Sequence, residues 1–441
     1  MIHPHITMFL ALCGCFVAYK PASAENWWQF RGPHSGHTTA TKLPTRWGGF
    51  FDEPCWKTSL PGKGWSSPIV VNDQIWLTAA EQVALDTTSL NEKLAELPLN
   101  PRDLVTHASV RLIALAVDAQ TGQMVREIEL FKHANPPPIH SMNSYASPTP
   151  ATDGERVYCH FGALGTACVS IDTGNVLWRR ELVVDEITGG AASPVLWQDN
   201  VILACDGADQ QFLTALDKMT GETRWLVKRP PITVADDMAR RSFSTPVIVD
   251  GLQGCQLISL AAQWLVSYNP VDGSERWRAR LSDGYSAVPT PVVAGDRVFV
   301  CTGFTDHELV AVDITGTGDV TDTAIAWRTN RQSSEISSPI IVGDEIYFAS
   351  SQGMIKCLDH RTGALHWQER VGGNFVASPT LADGKLFFTN HSGVTTVLQP
   401  GKKYVEIAKN ELFGESYASL AVYKQSFLLR THPYLFRLES P

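Results

Sequence analysis

One short signature keeps returning along this chain. It reads "SSPIVVNDQIWL" at residue 66, then "ASPTPATDGERVYC", "ASPVLWQDNVILA", "STPVIVDGLQGCQLI", "PTPVVAGDRVFVC", "SSPIIVGDEIYFA", "ASPTLADGKLFF" and finally "ASLAVYKQSFLL". A unit that recurs eight times commits the chain to a repeat architecture, because a segment that cannot bury its apolar face alone must stack against copies of itself. The prolines or their equivalents fall at 68, 148, 194, 246, 291, 339 and 379, with Leu420 closing the series; after the first gap the spacing is 40–52 residues. A unit of that length, with about four short runs rich in Val, Ile, Tyr, Phe and Leu between turn residues, fits a propeller blade.

A second pattern places the turns. In "ALDKMTGETRW", residues 215–225, Asp217 can accept hydrogen bonds from turn amides and Gly221 supplies a positive φ, so a third strand turns into a fourth that ends at Trp225. "CLDHRTGALHW" repeats the offsets at 357–367. The repeat position makes Trp178, Trp225, Trp277, Trp327 and Trp367 docking residues between blades rather than a sugar platform, with imperfect copies near Arg126 and Ile407. At the ends, "PCWKTSLPG" (54–62) reads as a fourth strand without its first three, and residues 416–440 supply three strands and stop. Together they complete one blade. The expected fold is all-β: an eight-bladed propeller over residues 54–441 with four-stranded antiparallel blades, closed by the amino-terminal strand joining the carboxy-terminal blade.

Two segments stand outside the period. Residues 81–110 form an insertion in the first blade, with helix formers around "NEKLAEL", expected as a surface helix and loop. Residues 25–53 form an extended amino-terminal segment in which Trp27 and Trp28 are expected to anchor the chain across the propeller. Ahead of it, "ITMFLALCGCFVA" is too short to span a bilayer and is followed by "ASA" at 22–24, which reads as a signal peptide (1–24) of an exported, periplasmic or extracellular protein. "LCGC" offers a competing lipoprotein reading, in which lipidation of Cys15 would provide the membrane anchor; no transmembrane span is expected.

Charge and cysteines narrow the function. With 36 basic and 45 acidic residues, net −9, nothing in the composition attracts nucleic acid. The cysteines beyond the leader show neither CxxC nor CxxCH, which argues against zinc ribbons and covalent haem. Cys159 and Cys168 flank a hairpin, leaving a cross-strand disulfide and two buried thiols as alternatives. HExxH, GxGxxG after a strand, GxxxxGK[ST] and GxSxG are all missing. "GTGDVTD", with Asp319 and Asp322, fits a solvated loop as well as a calcium site.

The Ala-x-Asp-x-x-Thr-Gly…Trp pattern resembles the docking motif of quinoprotein-type propellers, and residues 215–225 match it at every defined position. "WWQFRGPHSG", "NPPPIHSMNSYASPTP", "GDVTDTAIAW" and "LHWQERVGGN" resemble more narrowly the exported bacterial PQQ-like β-propeller repeat, or BamB-like, family, over essentially the whole chain after the leader. That resemblance implies two kinds of relative: dehydrogenases that hold pyrroloquinoline quinone (PQQ) and calcium in the channel, and BamB, a scaffold lipoprotein in outer-membrane protein assembly. One fold serves both, so the site must decide. The adjacent cysteine pair of many alcohol-oxidising members is missing here.

If every innermost strand starts at the Ser-Pro signature, the residues just before it emerge at one channel face. These give the candidate ligand-binding set His140, Asn143, Tyr145, Arg241, Asp283, Tyr285, Glu335, Asn374 and Glu415, with Arg240 and Tyr417 beside them. Such a ring could hold a polar ligand, and "PPP" before His140 stiffens its loop. The expectation is a non-catalytic exported scaffold that binds an envelope protein or a polar small ligand, with no cofactor. A PQQ- and calcium-dependent alcohol or sugar dehydrogenase is the first alternative, and a carbohydrate- or peptide-binding module the second. Neither catalytic nor metal residues can be named from the sequence.

Overall fold

The computed structural model describes residues 26–48, 53–95, 103–186, 188–251, 254–284, 286–304, 307–330 and 333–440. The leader with Cys15, and Tyr285, lie outside them. Within them the chain forms eight blades around a channel. A typical one, the third, runs Val195–Trp197, Asn200–Asp206, Gln211–Asp217 and Thr223–Lys228 from the axis outward, each strand antiparallel to the last. The short first strands of successive blades lie side by side around the channel, as Ile69–Val71 does with Ala151–Thr152 on one flank and Ala421–Tyr423 on the other.

The ring closes as expected. Trp56–Ser59 pairs with Tyr434–Leu438, in register from Trp56 opposite Arg437 to Ser59 opposite Tyr434, and completes the blade begun by Ala421–Tyr423 and Ser426–Thr431. That exchange covers the edge that either terminus would otherwise leave free.

Strand alternation sends one set of side chains to each side of a blade, so the apolar core lies between blades. One cluster joins Ile202, Leu213 and Trp225 of the third blade to Leu257, Val266 and Tyr268 of the fourth. The same alternation decides the disulfide question. Cys159 stands opposite Ala167 and Cys168 opposite Tyr158, so the two thiols face opposite sides of their blade. They are buried in different interblade cores as free cysteines.

In one place the register differs from the sequence expectation. The innermost strand of the second blade, Ala151–Thr152, follows Pro150 directly, as Ile69–Val71 follows Pro68. Pro150, not Pro148, is therefore the equivalent proline, because "SPTP" contains two candidates and only pairing with Val157 and Tyr158 chooses between them.

Two irregular segments shape the channel. The middle hairpin of the first blade pairs from Gln74 opposite Asp118 to Ala84 opposite His107, with one register shift after Val83, and the helix Thr87–Ala95 follows its first strand. Leu104–Val105 then pairs with Ile139–His140, which returns the insertion to the channel face. On the other side, the amino-terminal segment crosses the channel. Trp27 and Trp28 accept amide hydrogens from Val70 and Thr152, and further along Gly36 accepts one from Leu381 in the seventh blade. Trp27 is buried, whereas the Trp28 side chain is exposed. No helix among the described residues is long and apolar enough to cross a membrane.

Candidate functional site

The signature Ser or Thr of each blade does more than mark the register. The backbone N–H of Ser67 donates to Thr149 Oγ1 at 2.9 Å, that of Thr149 to Ser193 Oγ at 3.0 Å, and that of Ser193 to Thr245 Oγ1 at 2.9 Å. The series continues from Thr290 to Ser338, Ser338 to Ser378, Ser378 to Ser419 and Ser419 back to Ser67, all at 2.9–3.0 Å. Each blade thus hands an amide to its neighbour's hydroxyl, and the ring is complete but for the step from Thr245 to Thr290, whose Oγ1 has no partner. Seven of these hydroxyls line one cavity of about 680 Å³ at the channel face, and each uses its oxygen to accept. None of the seven donates a hydrogen bond to another described residue, so each keeps a donor to offer.

Phe30 of the amino-terminal segment lines this cavity too, which places a phenyl ring at the channel floor. Of the sequence candidates, His140, Asn143 and Arg241 line the cavity together with Tyr417. Arg241 is 4% exposed, and its Nη1 donates to Thr188 Oγ1. Asn143 Nδ2 donates to the carbonyls of Thr188 and Gly189, at 2.9 and 3.1 Å, tying the second blade's loop to the third's. His140 Nδ1 accepts from the Met142 amide at 3.1 Å, and partial burial holds its pKa below the usual histidine value.

The other candidates among the described residues do not line the cavity. Tyr145 is buried and its hydroxyl donates to the Pro137 carbonyl at 2.8 Å. Asp283 accepts from Gln263 Nε2 at 2.7 Å and Arg280 Nη2 at 2.9 Å, and Glu335 accepts from the Ser351 amide at 3.0 Å. Asn374 is half-buried and Glu415 exposed. Sequence position put them near the right face, but Tyr145, Asp283 and Glu335 are committed to partners within the protein instead. Sequence reasoning missed Asp103 and Leu104, which the insertion brings to the cavity, and Trp65, which stacks on Tyr417 with centroids 4.0 Å apart. It also used the ring hydroxyls only as a register mark, although their repetition was the available signal.

Charge is buried beneath the wall between the second, third and fourth blades. Arg229 and Asp206, each side chain 1% exposed, pair through two hydrogen bonds of 2.9 and 2.8 Å, and Arg229 Nη2 also donates to Ser259 Oγ. Nearby, Glu186 accepts from the Ala163 amide at 2.8 Å, and burial pushes its carboxyl up to about 7. The loop of Asp319, weighed above for calcium, is instead tied by the short strand Gly318–Asp319 to the fourth blade, and Asp319 accepts from Thr321 Oγ1 at 2.6 Å and Arg278 Nε at 3.3 Å.

The docking residues sit between blades. Trp178 Nε1 donates to the Lys218 carbonyl at 2.9 Å and Trp327 Nε1 to that of His360 at 3.1 Å, each in the following blade's turn, while Trp367 Nε1 reaches Gly401 at 2.9 Å. Trp225 packs on Gly273, whereas Trp277 turns inward to Gln256. Trp56 takes this role at the closure, and Arg126 replaces the indole in the first blade by donating to the Asp172 carbonyl at 2.5 Å.

The cavity is poor in the carboxylates by which the dehydrogenase branch would hold calcium. Calcium asks for six to eight oxygen ligands, with carboxylates prominent among them. Here the cavity's carboxylates are Asp103 and Asp236, and among the described residues no three His, Cys, Asp or Glu side chains converge. Glu186 is turned onto a backbone amide.

Comparison with known proteins adds the following. The family model described as outer membrane protein assembly factor BamB matches residues 89–262 and 213–427. No curated protein matches the chain by sequence. Among solved structures, BamB from Moraxella catarrhalis is similar at a TM-score of 0.57 and 14% identity, covering 88% of this chain and 97% of that one. A europium-containing methanol dehydrogenase is similar at 0.59 and 10%, covering 86% and 84%. The quinohemoprotein alcohol dehydrogenase from Comamonas testosteroni is similar at 0.60 and 10%, covering 94% and 80%. At these identities the likeness concerns the fold.

Proposed function

The chain belongs to the BamB-like family of PQQ-repeat propellers, and from that premise we propose that it is a non-catalytic binding propeller, exported to the cell envelope, whose channel face holds an extended segment of a partner protein. The observation that carries this reading is the ring of seven cavity-lining hydroxyls with unspent protons. Hydroxyl donors suit the carbonyls of an extended peptide, and Val288, Ile336 and Val376 supply apolar wall between them. The description of the family as an assembly factor supports a protein partner. Nothing in this role requires a redox group.

The test is photo-crosslinking in cells. Met142 lines the cavity and is 38% exposed. A photoreactive residue there is expected to give discrete adducts with envelope proteins, and Ala191→Trp, which projects an indole into the cavity, is expected to weaken them. Absence of adducts, together with calcium-dependent PQQ binding and dye-linked turnover of alcohols or sugars by the purified chain, would replace this reading with the dehydrogenase. Absence of adducts with saturable binding of a sugar, without quinone, would replace it with a carbohydrate module.

A further inference from the structure

Below Phe30 lies a second, smaller cavity of about 130 Å³, walled by the amino-terminal segment on one side and by the innermost strands of the third and fourth blades on the other. Its lining includes Arg31, Ser35, Thr245 and Thr290. Arg31 is 2% exposed. Its Nη2 donates to the Pro339 carbonyl at 2.7 Å, while Nε and Nη1 have no partner. No carboxylate among the described residues pairs with it; burial is the one influence on its ionisation. On another wall stands the Thr290 hydroxyl, the single unpartnered oxygen of the interblade ring.

A buried guanidinium remains charged, and an uncompensated charge in a protein interior is costly unless something neutralises it. The described residues supply no carboxylate here, but Arg31 and Thr290, which both line a space several times the volume of a water molecule, carry unpartnered donors on two guanidinium nitrogens and a hydroxyl. We propose that this cavity binds a compact monovalent anion, of halide or formate size, held by Arg31 and Thr290. The anion neutralises the guanidinium and fastens the amino-terminal segment beneath the channel floor. This site is separate from the channel-face cavity and does not depend on how that cavity is used.

The experiment compares thermal unfolding of the full chain at constant ionic strength in chloride, bromide, formate and the bulky anion gluconate. The first three are expected to raise Tm saturably over gluconate, by about 1–2 °C at ten times their Kd, and crystals grown in bromide are expected to show an anomalous peak beside Arg31. The relative effects of halide and formate identify which is preferred. Arg31→Met is expected to remove the anion dependence. If that variant fails to fold, Thr290→Val, which removes one neutral donor, is expected to weaken the apparent affinity by roughly tenfold. Equal Tm in all four anions with no bromide at Arg31, or an anion effect unchanged by Thr290→Val, would overturn the proposal.

Discussion

The indole of Trp178 lies against Gly221 of the next blade so closely that a Cβ added to Gly221 would come within 2.6 Å of the ring. The glycine holds φ at +70°, and the turn behind it is fastened by Asp217, whose Oδ1 accepts the amides of Met219 and Thr220. Trp225 on Gly273, Trp327 on Gly363 and Trp56 on Gly122 repeat the contact. The Thr-Gly of the repeat is thus a turn and a docking surface at once.

Gly221→Ala is therefore expected to cost about 2–4 kcal/mol, from the strained φ and from displacing the indole. Gly154→Ala provides the comparison, since Gly154 also has a positive φ but no atom within 4 Å of its added Cβ. Denaturant unfolding of both should show the larger loss at Gly221; equal losses would mean that docking adds nothing.

The interblade ring makes a second prediction. Ser378→Ala removes the acceptor of the buried Ser338 amide and is expected to cost about 1–3 kcal/mol. Thr290→Val removes a hydroxyl that accepts from no amide, so in gluconate it should change stability by less than about 0.5 kcal/mol. Unfolding midpoints of the two variants measured together decide it.

Asp206→Asn would leave Arg229 charged and buried without a counter-ion, and a loss of about 3–5 kcal/mol is expected. The double variant Asp206→Leu, Arg229→Met should recover most of it. A double-mutant cycle by chemical unfolding measures the coupling.

Glu186 sets a pH dependence. Burial raises its folded pKa to about 7, above the ordinary unfolded value of about 4.3, so the folded state binds the extra proton between these values. Its contribution is present below about pH 4 and is lost as pH rises towards 7, by roughly 3–4 kcal/mol. Glu186→Gln keeps an acceptor for the Ala163 amide and removes the titration. The variant should exceed the parent in Tm at pH 8 and match it near pH 4; parallel Tm curves from pH 4 to 8 would refute this account.

Repetition made the fold readable in advance. The signatures, turns and docking tryptophans depend on contacts within a blade or with the next one, so their spacing in the chain carries the blade number and the closure by Trp56–Ser59. The candidate site was less legible, and the reason is geometric. Position relative to the signature brought His140, Asn143 and Arg241 to the channel, but it could not show that Tyr145 folds back onto Pro137 or that Glu335 turns to the Ser351 amide. Register between Pro148 and Pro150 was settled by strand pairing. Only the closed ring could bring the Ser419 amide to the Ser67 hydroxyl, 352 residues away in the chain, and only the path of the amino-terminal segment could bury Arg31 beside Thr290. Local sequence determined what each blade is, whereas tertiary structure decided what eight blades enclose, because a channel is lined by residues whose separation along the chain says nothing about their distance in space.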